Sequence, residues 1–151
     1  MTGIIFTGHG TFASGMHSAV SLLAGSSDHI LFVDFPGDNV ELLKKKLQSS
    51  ISFLLEKQCS HILILCDILG GTPFNTSVAL SLDFPNIHIV YGITVALAVE
   101  ICLSSDDSDL SEADLVSLLA DSREMTGLFQ LSPESTREDS SEVHGYTDEG
   151  I

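Results

Sequence analysis

The sequence predicts an α/β domain, doubly wound on a mostly parallel sheet. Three observations lead there. Short, continuously apolar runs alternate with longer stretches whose apolar residues recur at helical spacing. The runs lack the one-in, one-out polarity of a half-exposed sheet, so helices should cover both faces. Glycine, proline and aspartate gather where the runs end, as turn chemistry requires. Right-handed crossovers leave few topologies for four such strands, and the common one has the strand order 2-1-3-4.

Thr2–Thr7 reads as the first strand. A helix follows over Thr11–Ala24, with Phe12, Met16, Ala19, Val20 and Leu23 on its inner face and Gly25 as its stop. The second strand is His29–Phe35. Pro36-Gly37-Asp38-Asn39 turns the chain and caps a helix from Asn39 to Lys57. Its stripe is Val40, Leu43, Leu47, Ile51, Leu54 and Leu55, and Lys44-Lys45-Lys46 falls on its solvated face. The third strand is His61–Asp67. Thr72 as N-cap and Pro73 at the first helical position open a third helix that ends near Leu82. Ile87–Tyr91 is the fourth strand, Val95–Leu103 a fourth helix, and Ser104–Asp109 an acidic loop. Ser111 opens a fifth helix reaching about Arg123, with Leu115, Leu118 and Leu119 inward. Thr126–Leu131 has the composition of a short edge strand.

The folded domain is therefore expected over residues 1–131, and a flexible acidic tail over 132–151. No apolar run approaches the roughly 18 residues of a membrane span. Residues 1–25 lack the basic start of a secretion signal, so a cytoplasmic protein is expected. Cys59, Cys66 and Cys102 are odd in number and scattered in apolar company, which reads as buried free thiols. The net charge is −15, of which residues 104–151 hold −11. Nucleic acid and anionic membrane are poor partners for such a chain.

Candidate chemistry centres on Gly8-His9-Gly10. A histidine in a glycine turn between a strand and a helix offers a nucleophilic nitrogen where the backbone can approach a ligand. In the order 2-1-3-4 the chain reverses direction between strands one and three. Ligands bind at the carboxyl ends of strands at such a point. His9 should lie just past the end of strand one and Asp67 at the end of strand three, with neighbouring strands about 4.8 Å apart. A carboxylate on Nδ1–H fixes the tautomer and leaves Nε2 as the nucleophile. Gly10 and Thr11 at the start of the first helix, and Gly70, Gly71 and Thr72 at the start of the third, are the candidate phosphoryl-binding groups. No metal or other cofactor is needed for transfer between histidine-like groups, which rests on positioning and charge stabilisation. His17 on the first helix and His61 at the start of the third strand read as incidental, and the sequence by itself names no partner for His29, His88 or His144.

Thr7-Gly8-His9-Gly10, the Val33-Asp34-Phe35 strand end, Asp67-Ile68-Leu69-Gly70-Gly71-Thr72-Pro73-Phe74-Asn75 and the segment Gly92 to Glu100 resemble the IIA domain of the mannose class of the bacterial phosphotransferase system. The resemblance spans about residues 2–131. Within the class, Gly8–Gly15 and Asp148-Glu149-Gly150-Ile151 are most similar to the N-acetylgalactosamine-type members. The resemblance implies a transient phosphohistidine at His9 with Asp67 as its partner. The phosphoryl group would arrive from the carrier HPr and leave to a IIB subunit, here a separate protein because no IIB segment follows. Membrane IIC and IID subunits would then import and phosphorylate a sugar. It also implies a homodimer that exchanges an edge strand, a role open to Thr126–Leu131. Thr94 and Ala96 depart from the asparagine and proline common in the family.

Two other readings stand beside this one. Gly8-x-Gly10-x-x-Ala13, with Asp34 ending the second strand, imitates a dinucleotide-binding fingerprint and so an oxidoreductase. A non-catalytic regulatory module of the same fold is the other.

Overall fold

The computed structural model describes residues 1–107 and 109–130. Its elements are β1 (Thr2–His9), α1 (Phe12–Leu23), β2 (Ile30–Phe35), α2 (Val40–Glu56), β3 (His61–Cys66), α3 (Thr72–Ser81), β4 (Ile87–Tyr91), α4 (Val95–Asp107) and α5 (Glu112–Glu124). The four strands form one sheet in the order β2-β1-β3-β4, and every pairing is parallel. This is the fold class and strand order that the apolar runs predicted.

The alternation of side chains along β1 sorts the core into two layers. Ile4 and Phe6 pack with Ala13, Met16 and Val20 of α1, Leu97, Ala98 and Ile101 of α4, and Leu115 of α5. Ile5 points the other way, among Leu43, Leu47, Ile51 and Leu54 of α2 and Leu80 of α3. A strand covered on both faces must be apolar throughout, and β1 is buried from Thr2 to Gly8. All three cysteines are buried and none is in a disulfide. No described helix is long and apolar enough to cross a membrane.

Several boundaries differ from expectation, for local reasons. β1 runs two residues further, because His9 still pairs with Phe35. β3 stops one residue earlier, at Cys66. His9 is thus the last residue of its strand, and Asp67 the first beyond its own. Gly71, extended at φ −70° and ψ 166°, is the N-cap of α3, so Thr72 is its first helical residue and Pro73 its second. The expected acidic loop at 104–107 is helical: Ser105 is buried and its hydroxyl donates to the Cys102 carbonyl at 2.7 Å, which keeps the chain in α4. Thr94 starts α4 by accepting the Leu97 N–H at 3.2 Å, so it serves as the helix cap. Residues 126–130 form no strand in this single chain, and Leu128 and Phe129 are exposed. Leu131 and the expected tail over 132–151, with His144 and Asp148–Ile151, lie outside the described residues.

Candidate active site

The site lies where β1 and β3 end, at the point where the chain reverses its winding. Gly8 is what lets the two strand ends meet. A Cβ there would sit 2.4 Å from Cδ1 of Phe12 and 2.8 Å from Cγ of Asp67. Its absence opens room for the carboxyl group and for the first side chain of α1.

Asp67 fills that room. Its Oδ2 accepts the His9 backbone N–H at 2.8 Å and lies 2.8 Å from the His9 ring Nδ1. Its Oδ1 accepts the Ile68 N–H at 2.8 Å. The Asp67 carbonyl accepts from Gly92 at 3.1 Å, which ties the turn after β4 to the same point. A carboxylate only accepts, so the proton belongs on Nδ1 and the lone pair on Nε2. Burial alone would raise the Asp67 carboxyl. The His9 N–H, the His9 ring and the Ile68 N–H outweigh burial and hold it below the ordinary carboxylate range.

The far side of the ring faces α3. A Cβ on Gly71 would lie 2.6 Å from Cε1 and 3.3 Å from Nε2 of His9. Only a glycine lets the start of α3 come this close. Gly70, at φ +77°, makes the preceding turn, and Asn75 braces it by donating Nδ2–H to the Gly70 carbonyl at 2.9 Å. No side chain caps α3, and Thr72 is half-buried beside Gly71. Phe35 touches the ring edge-on, with centroids 6.0 Å apart. The His9 side chain is still 43% exposed, against 14% for Asp67, so another protein can reach the ring. The neighbouring thiol does not compete as a nucleophile, because burial pushes Cys66 up to about 12.

The structure brings His9, Asp67 and Gly71 together, with Gly70 in the turn beneath and Thr72 next to Gly71 in the chain. The start of α1 is engaged differently from expectation. The Gly10 N–H is spent on the Phe35 carbonyl at 2.7 Å, and Thr11 is exposed without a side-chain cap bond. The Ser14 N–H goes to Asp34 Oδ1 at 2.9 Å, and the Ser14 hydroxyl donates to Asp34 Oδ2. Asp34, which a dinucleotide site would turn to a ribose, is therefore bonded within the protein. Sequence reasoning missed the steric roles of Gly8 and Gly71, the Asn75 brace and the Asp34–Ser14 link. Only the last left a readable trace, an aspartate ending one strand and a serine in the first turn of a helix.

The family model for the PTS system fructose IIA component (EIIA-man) matches residues 3–117. The chain is 29% identical over 116 residues to the mannose-specific EIIAB component of Escherichia coli, an overlap covering 76% of this chain and 35% of that protein. The chain thus spans about a third of the length of these mannose-specific relatives. It is 27% identical over 139 residues to the sorbose-specific EIIA component of Lacticaseibacillus casei, covering 90% of this chain and 97% of that one. Its structure is similar to the phosphotransferase system component EIIA from Streptococcus agalactiae, with a TM-score of 0.72, 28% identity, and coverage of 90% and 99%.

Proposed function

The chain belongs to the mannose-class IIA components of the phosphotransferase system, and on that premise we propose that it carries a phosphoryl group on Nε2 of His9. The observation that supports this most is the double hold of Asp67 on His9 at 2.8 Å, with Nε2 left toward the start of α3.

In this reading the Nε2 lone pair attacks the phosphorus of a phosphohistidine on the donor protein, HPr. The donor's N–P bond breaks as the new one forms. Nδ1 keeps its proton, and Asp67 offsets the positive charge that builds on the ring. The first N–H groups of α3, at Gly71 and Thr72, and the Thr72 hydroxyl receive the phosphoryl oxygens. The same geometry in reverse delivers the group to a IIB subunit, and IIC and IID membrane subunits use it for sugar uptake. Exposed Ile68 and Leu69, directly after Asp67, give both partners an apolar surface beside the ring. The protein is cytoplasmic and acts as a homodimer, with the segment from Thr126 donated to the open edge of β4 in a second copy.

Incubation with phosphoenolpyruvate, enzyme I and HPr tests this. One acid-labile phosphate per chain is expected, and none on His9→Ala. Labelling that survives His9→Ala would overturn the assignment.

A further inference from the structure

We propose that Asp34 is a positioning residue for transfer at His9, acting by claiming the N-terminus of α1. This rests on the phosphohistidine reading above.

Helix α1 lacks a local cap: Thr11 occupies the N-cap position and makes no side-chain cap bond. The N–H that a local cap would take, at the third helical position, is taken instead by Asp34, 20 residues further along. A local cap would bind α1 only to its own first turn. Asp34 binds it to the end of β2. The intervening turn is anchored at the same place, since His9 pairs with Phe35 and the Gly10 N–H bonds to the Phe35 carbonyl. Gly10 sits at φ +60°, a conformation with little intrinsic preference to hold the turn in place. The last two residues of β2 thus grip both sides of the turn that carries His9, while Asp67 grips His9 itself.

Charge gives the link a second effect. Val33 and Phe35 pack in the layer of α2 and α3, so Asp34 between them faces α1. Its carboxylate neutralises the positive end of α1. The start of α3 is capped by no side chain. A dianionic phosphoryl group on Nε2 is thereby directed to α3 and away from α1.

Rapid-mixing transfer from phospho-HPr to the full chain, at varied donor concentration, tests the role. Asp34→Ala should slow the transfer step by about tenfold to a hundredfold with an unchanged half-saturating donor concentration. Asp34→Asn keeps an acceptor for the Ser14 N–H but loses the charge, and should recover to within about threefold, the remaining loss being the charge effect. The Nδ1 proton held by Asp67, read by NMR of the imidazole, should be seen in the wild type and Asp34→Asn and lost in Asp34→Ala. Should Asp34→Ala not fold, Asp34→Val, which suits a strand and offers no acceptor to the Ser14 N–H, carries the test, with slower transfer at unchanged half-saturation expected. A wild-type rate and an intact ring signal in the folded variant overturn the proposal, as does a loss confined to half-saturation. A wild-type chain that accepts no phosphoryl group overturns the underlying reading as well, whereas normal wild-type labelling with indifferent variants overturns only the role of Asp34.

Discussion

Asp67 Oδ2 lies 2.8 Å from both the backbone nitrogen and the ring Nδ1 of His9, a residue 58 positions away in the chain. One oxygen therefore fixes the strand end and the ring together. The imidazole cannot rotate to exchange its nitrogens without giving up this bond, so Nε2 stays on the side of Gly71. Asp67→Ala should fold, since the residue is a turn position, yet transfer to His9 should fall by about a hundredfold. Measuring the labelling rate alongside a melting curve that shows a folded, somewhat less stable chain checks this.

The lowered Asp67 carboxyl has a consequence for acid stability. A carboxyl held lower in the folded than in the unfolded chain stabilises the fold above the unfolded value, about 3.9, and that stabilisation is lost as pH falls through the folded value. The stability difference between wild type and Asp67→Asn should therefore shrink as pH drops below about 4. Denaturant titrations of both chains from pH 7 to pH 2.5 give the curve. A constant difference would show that the charge of Asp67 adds nothing to folding.

Gly71→Ala separates site geometry from folding. Gly71 has an ordinary negative φ, so alanine suits the backbone. The new Cβ nevertheless lies 2.6 Å from Cε1 of His9 and must displace a ring that Asp67 holds. Labelling is expected to drop by at least about tenfold with little change in Tm.

Gly8→Ala should cost stability as well as activity. Its Cβ meets Phe12 at 2.4 Å and the Asp67 carboxyl carbon at 2.8 Å. Overpacking of this kind costs about 1–3 kcal/mol. Thermal unfolding should register the loss, and the Nδ1–H signal of His9 should disappear with it.

The dimer reading bears on Phe129, which is 86% exposed beyond α5. Phe129→Asp should convert a dimer to a monomer in sedimentation at micromolar concentration, because a charge is poorly housed against an apolar sheet edge. A wild-type chain that sediments as a monomer would remove the exchanged strand from the account.

Much of this molecule is written in local pattern. Ile4-Ile5-Phe6 and Ile62-Leu63-Ile64-Leu65 are too continuously apolar for anything but strands buried on both faces, and with the helical stripes between them they set the fold class and the order 2-1-3-4. The same pattern placed His9 and Asp67 at one edge of the sheet, since parallel strands deliver their carboxyl ends to a common side. Tertiary structure alone decided how the two helix starts beside His9 are engaged. Both begin near His9, and the sequence offers a threonine at each, Thr11 and Thr72. Asp34 reaches across from β2 to occupy one, while Gly71 brings the other against the ring. Such choices depend on side chains converging from different strands within a few tenths of an ångström, and spacing along the chain carries no record of that distance.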